Sequence, residues 1–314
     1  MFSLGVDTSN YTTSVALYDG TRVVQKKRLL PVKPGALGLR QSDALFHHTV
    51  ALPELLEELL AGQEAINSIA VSDRPRNVEG SYMPCFLAGV AVAQGIASAL
   101  NLPLRKFSHQ QGHLAAALFS CGRMDLLQSE FLAFHVSGGT TECLLIQPGL
   151  KAQAIGGTAD LNAGQLVDRV GVMLGFDFPA GKALDELAQS GELPRKVNVK
   201  VDGLVCHLSG IENQCRRMHE QSETPEDIAR YCLEAIAQAM IKIAGAALDL
   251  YGELPVVCSG GVCCSEVVRA SFLMAYPQAQ FAAAEYSADN AAGIAILATT
   301  SQIQAFPGTQ EERV

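Results

Sequence analysis

Two hydrophobic patterns alternate along this chain: short apolar runs, and longer stretches in which apolar residues recur every three or four positions. The runs read as strands and the stretches as helices. Strand-like runs occupy Phe2–Val6, Ser14–Tyr18, Ile66–Val71, Phe131–Phe134, Cys143–Ile146 and Leu254–Cys258. Helical spacing runs over 43–61 through Leu45, Leu52, Leu55 and Leu59 and continues in a small-residue stretch over 83–100. A further helix begins near Ser108, a suitable N-cap, and another follows Asn162. Thr224-Pro225-Glu226-Asp227 has the chemistry of a helix start, and that helix extends to about Tyr251. Helical stretches are also expected from Cys263 to Ala275 and from Ser287-Ala288-Asp289-Asn290 to Thr299. Residues 31–38, 191–222 and 305–314 read as less regular, with Cys206–Gly210 and 72–76 as loops.

What lies between the strands carries the first hint of function. Phe131–Phe134 leads into His135-Val136-Ser137-Gly138-Gly139-Thr140-Thr141-Glu142, and Cys143–Ile146 leads out. This is a hairpin with small residues at its tip. Glycines bring backbone N–H groups close to a ligand and hydroxyls add donors, so the turn can hold a phosphate; it can equally be a plain tight hairpin. The pattern occurs twice. Phe2–Val6, the polar turn Asp7–Thr13 and Ser14–Tyr18 form an earlier copy, roughly 130 residues upstream, the separation of duplicated halves rather than of a short solenoid repeat. A third turn, Ser259-Gly260-Gly261-Val262, follows the Leu254–Cys258 strand. Three such turns point to a nucleotide cleft between two α/β lobes.

Length and composition narrow the picture. At 314 residues, with 48% of them apolar, the chain can bury two lobes. The expected division is 1–125, with the C-terminal helix and the tail 300–314 packing back onto it, and 126–299. No run reaches the length of a membrane span and no signal-like start is present, so no membrane association is expected. The nine cysteines are scattered without Cys-x-x-Cys spacing, which fits a reducing cytoplasm. A net charge of −9 argues against a broad nucleic-acid face. Local basic spots remain at Lys26–Arg28, Arg74 with Arg76, Arg195-Lys196 with Lys200, and Arg216-Arg217. If RNA binds, some of these must converge or a partner must supply the charge.

Candidate chemistry starts with His109-Gln110-Gln111-Gly112-His113 on the helix after Ser108. Two histidines at i and i+4 share a helical face and can share a metal ion. A zinc peptidase would need a glutamate directly after the first histidine, and Gln110 cannot take a proton. His47 and His48 read as surface or interface. Asp168 is either a helix-surface carboxylate or a partner for a ribose hydroxyl, and Asp289, in the first turn of its helix, fits ordinary dipole chemistry.

In order along the chain, Asp7-Thr8-Ser9, the His109–His113 helix, Val136–Gly139, Asp168 with Phe178–Gly181, Ser259–Val262 and Ser287–Ala292 resemble the universal tRNA threonylcarbamoyladenosine transferases. This is the TsaD family, once called O-sialoglycoprotein endopeptidases. The resemblance spans nearly the whole length. It implies an actin-like ATPase fold, two duplicated α/β lobes with a nucleotide cleft between them, and transfer of threonylcarbamoyl from an adenylate donor to the adenosine beside the anticodon. It further implies one divalent metal (iron, zinc or magnesium) held by His109, His113 and Asp289, with Asp7 nearby as a candidate catalytic group. The turn of His135, Val136, Ser137, Gly138 and Gly139 would lie against phosphate and metal. Asp168, Gly181 and Asp185 would hold ribose and adenine of an ATP- or AMP-type nucleotide or of threonylcarbamoyl-adenylate, with Gly260, Gly261 and Ser265 on the nucleotide as well. Expected partners are tRNA, other proteins of the same modification machinery (TsaB and TsaE types) and a second copy in a homodimer.

Several positions depart from the bacterial pattern. Tyr11 and Thr12 replace an acidic pair, Asp73–Arg76 replaces a Gly-Pro-Gly loop, and Gln111, Thr140, Ser265 and Glu212 stand for Glu, His, Asn and Lys. These changes open a second reading, a non-catalytic nucleotide-binding paralogue acting through partners. A third is a small-molecule kinase of the same fold, in which His109 and His113 have no evident role.

Overall fold

A computed structural model describes residues 2–9, 11–31, 39–62, 65–193, 195–287 and 291–300. The chain forms two units. The first comprises the described residues within 1–128, 148–151 and 289–314, and the second those within 129–147 and 152–288.

The first unit is built on strands β1 (Phe2–Ser9), β2 (Thr12–Tyr18), β3 (Val23–Leu29), β4 (Ile66–Arg74) and β5 (Leu104–Ser108), with helices α1 (Gln41–Leu60), α2 (Phe86–Ala99) and α3 (His109–Ser120). Its sheet order is β3-β2-β1-β4-β5. β1 pairs antiparallel with β2 on one side and parallel with β4 on the other. The apolar residues of β1, β2 and β4, among them Leu4, Val6, Val15 and Ile69, close a core with Leu52 and Leu55 of α1.

The second unit carries β6 (Phe131–Val136), β7 (Thr141–Gln147), β8 (Lys151–Thr158), β9 (Lys200–Asp202), β10 (Val205–His207), β11 (Val256–Ser259) and β12 (Gln280–Phe281). Its helices are α4 (Ala163–Met173), α5 (Gly181–Ala188), α6 (Ser209–Glu220), α7 (Pro225–Tyr251), α8 (Glu266–Ala275) and the single turn α9 (Ala284–Ser287). The sheet order is β12-β11-β6-β7-β8-β10-β9. Its run β8-β7-β6-β11-β12 repeats β3-β2-β1-β4-β5, with β6 antiparallel to β7 and parallel to β11. The duplication expected from the two polar turns is present in the topology.

The last helix, α10 (Ala292–Thr299), belongs to the first unit, so the chain returns to it before residue 300. Burial holds it there. Every residue from Ala292 to Ala298 is buried. Ser3 Oγ donates to Ala295 O at 2.7 Å, and Arg105 Nη1 donates to Leu297 O at 2.8 Å and Thr300 O at 2.6 Å, closing carbonyls the helix end leaves open. α10 crosses α3 so closely that a Cβ on Gly293 would sit 1.8 Å from Gly112 O. Gly112 lies between the two candidate metal histidines, so this crossing fixes the helix face that carries them.

Other expectations need correction. Asp7 is not in a turn but inside β1, opposite Ser14 of β2, because Asp7–Ser9 and Thr12–Ser14 continue the ladder. β4 runs on through Arg74 instead of ending at Val71. The stretch from Cys263 divides into a 3-10 turn (Gly261–Cys264) and α8, where Ser265 resets the chain by capping the helix. Residues 209–220 form a helix, with Ile211, Cys215 and Met218 as its buried stripe. His48 is buried, not at a surface. α7, at 27 residues with a mean hydropathy of 1.3 over its apolar window, is long and apolar enough to cross a membrane; 67% of that window is buried within the protein, as the core helix of the second unit. Asn10, most of the 31–38 connection, Asp289 and the 305–314 tail lie outside the described residues.

Gly293→Ala is expected to lower stability by about 1–3 kcal/mol through overpacking. A lower urea midpoint at unchanged slope would register this; an unchanged midpoint would show that the α3–α10 crossing tolerates a methyl group.

Candidate functional site

In the first unit, the site is built around Asp7. Its carboxylate is fully buried at the C-terminal part of β1. Ser9 Oγ donates to Oδ2 at 2.7 Å, Ser72 Oγ donates to Oδ1, and His109 Nδ1 lies 3.0 Å from Oδ1. Burial pushes this carboxyl up, but the His109 charge and the hydrogen bonds from His109, Ser72 and Ser9 outweigh it and leave it below its ordinary value. An ionised carboxylate only accepts, so Nδ1 of His109 carries a proton toward Asp7, and in the neutral ring Nε2 is then the nitrogen with the lone pair.

α3 places the second imidazole one turn on. Its start is fixed by Ser108, whose Oγ accepts from Gln111 N at 3.2 Å while Gln111 Oε1 accepts from Ser108 N at 2.9 Å. Gln111, which departs from the family's glutamate, keeps this reciprocal cap. His113 Nε2 stands 2.8 Å from His109 Nε2. The two nitrogens are within hydrogen-bonding distance of each other; as neighbouring imidazoles one helical turn apart, one of them backed by a carboxylate, they are of the donor type a divalent metal takes. The third expected ligand, Asp289, lies outside the described residues. Among the described residues no group of three or more His, Cys, Asp or Glu side chains converges on one point.

His48 lies beside this region. Its Nδ1 is 2.8 Å from Thr13 Oγ1, and its buried Nε2 has no hydrogen-bond partner among the described residues. Burial drives its pKa down to about 4, against the pull of the Asp7 charge and with a smaller push from His47. Sequence reasoning missed it because His47-His48 sits in a helix whose polar face begins one residue away.

In the second unit, the Ser137–Thr140 turn is held from three directions. Ser137 N donates to Thr140 O at 2.7 Å, Gly164 N at the start of α4 donates to Ser137 O at 3.1 Å, and Asn162 Nδ2 donates to Gly139 O at 3.0 Å. The N-terminus of α4 is therefore fastened to this turn. β11 delivers Ser259 opposite His135, with His135 Nδ1 3.3 Å from Ser259 Oγ. Gly260 has φ +99°, and a Cβ there would meet Val136 O at 2.3 Å, so only glycine lets the third turn approach β6. The structure thus joins His135, Val136, Ser137, Gly138 and Gly139 with Gly260.

Asp168, Gly181 and Asp185 occupy neighbouring places on α4 and α5. Asp168 Oδ1 accepts from Ala180 N at 2.9 Å, which holds the loop before Gly181. Asp185 accepts from Ser265 Oγ and from Glu266 N at 3.0 Å, closing the N-terminus of α8. Ser265 in turn accepts from Val268 N at 3.2 Å. Of the altered positions, Glu212 accepts from Arg169 at 3.0 Å and Arg216 at 3.2 Å, and Arg74 is paired with Asp73 at 2.7 Å.

A family model described as tRNA N6-adenosine threonylcarbamoyltransferase, TsaD, matches residues 36–296. The chain belongs to the TsaD family. Among similar proteins, a tRNA N6-adenosine threonylcarbamoyltransferase of Streptococcus pneumoniae (strain CGSP14) is 29% identical over 237 residues, 71% of this chain and 68% of that protein. One of Methanopyrus kandleri is 28% identical over 268 residues, 83% and 75% of the two chains. The activator of 2-hydroxyisocaproyl-CoA dehydratase from Clostridium difficile with bound ADPNP superposes with a TM-score of 0.56 at 12% identity, covering 95% of this chain and 94% of that one. A ROK family glucokinase from Streptomyces griseus gives 0.53 at 13%, covering 95% and 99%. Likeness at that identity shows the fold, which is the actin-like ATPase fold expected for TsaD proteins.

The buried His48 predicts a pH dependence. Its folded pKa lies below its ordinary 6.5, so its contribution is complete above that value and is lost as pH falls through about 4. Between pH 7 and pH 4.5 the wild-type protein is expected to lose about 2 kcal/mol more stability than His48→Asn. Equal losses in urea titrations of both proteins would contradict a neutral, buried His48.

Proposed function

We propose that this TsaD-family chain transfers a threonylcarbamoyl group from its adenylate to the adenosine beside the anticodon of tRNA. The observation that carries the reading is the His109–His113 pair, whose Nε2 atoms lie 2.8 Å apart, with His109 braced by the ionised Asp7. His109 and His113, with Asp289, would hold one divalent metal, whether iron, zinc or magnesium; bound there, it would supply Lewis-acid polarisation of a carbonyl.

The chain's own residues do the rest by positioning. Asp7 keeps His109 in one tautomer with Nε2 turned outward and takes no proton itself, since its carboxyl is held low. Its nearest supports, Ser9 and Ser72, satisfy its other lone pairs and leave it a positioning group rather than a base. In the second unit, the backbone N–H groups of Gly138 and Gly139 and the Ser137 hydroxyl suit phosphate oxygens, and the N-terminus of α4 adds favourable dipole charge. Gly260 lets the β11 turn sit against that backbone, and Gly261 follows it as open space for the nucleotide. Asp168 keeps Oδ2 for a ribose hydroxyl, and Gly181 leaves room for a nucleoside. Asp185 and Ser265 support this wall by capping α8. An acyl adenylate is already activated, so fixed geometry and charge stabilisation suffice for transfer.

A second reading, a non-catalytic nucleotide-binding paralogue that works through TsaB- or TsaE-type partners, draws on the closed ion pairs of Glu212 and Arg74.

The first test is mass spectrometry of tRNA nucleosides after incubation with threonylcarbamoyl-adenylate and candidate partners. Threonylcarbamoyladenosine is expected, and its absence beside an active transferase control would favour the paralogue. Metal content of untagged protein provides a second test: wild type should retain metal, His109→Ala and His113→Ala should lose it, and Asp7→Asn should bind it about 10–100-fold more weakly. Equal metal content in all four proteins would remove the site.

A further inference from the structure

In the second unit, the hairpin β9–β10 and the start of α6 enclose a pocket of about 560 Å³ that the transfer chemistry leaves unused. Its lining draws Arg195, Lys196 and Lys200 together with His207, Ser209 and Gln214. These three cations form the basic spot that looked like ordinary surface in the sequence; folding turns it inward on one pocket. In a chain of net charge −9, a lining with three cations against the single carboxylate of Asp160 is a local excess of positive charge.

The arrangement suits phosphates better than a small buried ligand. Lys196 has no carboxylate partner among the described residues. Lys200 is 3.1 Å from Asp202, but both side chains are more than 60% exposed, and a pair of that kind is weak and exchangeable. Arg195 is anchored by Glu223, which takes up one nitrogen of a guanidinium with five donors. Asp160 is the one acid in the lining, and it is engaged: it accepts from Ser209 Oγ at 2.5 Å, Leu208 N at 2.8 Å and Leu161 N at 2.6 Å. It is thereby kept as a brace of the β10–α6 junction, which places the Ser209 hydroxyl at the rim. The floor is firm, with Tyr231 of α7 buried and hydrogen-bonded to the Asn198 backbone. Long cations, both lysines exposed and Arg195 partly so, on a rigid floor match a polyanion that is gripped by its backbone, with no sequence information read.

We propose that this pocket grips phosphate groups of an RNA backbone through Arg195, Lys196 and Lys200. The inference rests on the reading of tRNA as the substrate, and it assigns a binding surface to residues outside the transfer chemistry.

The test is the salt dependence of tRNA binding, measured by fluorescence anisotropy with wild type and the Lys196→Ala/Lys200→Ala double variant. Both lysines are exposed, so the variant is expected to keep the wild-type melting temperature. Each lysine withdrawn from a phosphate should make the slope of log affinity against log salt shallower by about one. The double variant should therefore be shallower by about two, equally for different tRNAs. ATP, AMP and inorganic phosphate form separate arms, and their affinities should be unchanged. An unchanged slope overturns the proposal, as does loss of ATP, AMP or phosphate binding with tRNA binding intact, which would make the pocket a small-anion site. The two readings fail separately. A wild type that binds tRNA with the expected slope yet forms no threonylcarbamoyladenosine sinks the transfer reading and leaves the grip standing. Product formation with an unaltered slope in the variant does the reverse.

Discussion

A carboxylate with no water around it must be satisfied by its neighbours, and that constraint at Asp7 organises the first unit. Asp7 stands in β1, Ser72 in β4 and His109 at the start of α3, so one buried charge ties the central strand to its parallel partner and to the helix beyond. Removing one donor would leave the others facing an incompletely paired charge, which is costly in a dry interior. Because the carboxyl is held low, the network is complete above the ordinary carboxylate range and is lost as pH falls through the depressed value. The same bond that stabilises the fold sets the tautomer of His109. Stability and candidate chemistry therefore share a single interaction.

The second unit solves a comparable problem without a buried charge. Its turn over 137–140 is held by backbone and amide donors from α4, and its third turn is admitted by a glycine at positive φ. The two halves share strand order but not the chemistry of their first polar turn: hydroxyls and a buried carboxylate fasten the end of β1, while backbone and side-chain amides hold the 137–140 turn. That division fits one half built to order imidazoles and the other to present N–H groups to an anion.

Much of this could be read from sequence because it is local. Apolar runs and the small polar residues between them gave both hairpins, Thr224 and Pro225 marked α7, and Ser108 marked the helix that places His109 and His113 on one face. What could not be read depends on partners far along the chain. Nothing near His48 announces that Thr13 will meet it 2.8 Å away. The polar surface of α6 hid a three-residue apolar stripe that only α7 completes. Asp7 looked like part of a turn because three polar residues in a row suggest one; paired with Thr12–Ser14, they are a buried strand end. The basic residues at 195–200 were visible as charge, while their convergence needed β9, β10 and α6 in place.

The return of α10 to the first unit has a consequence for how the protein is made. β1 leaves the ribosome long before the helix that covers its sheet and closes against Ser3 and Arg105, which is encoded almost three hundred residues later. During synthesis, the first half must wait with an open apolar face while the second half, continuous apart from a short excursion, has all its strands in hand. Between the two units the order of emergence and the order of completion are thus reversed, and the sheet most exposed to a chaperone is that of the unit translated before its partner.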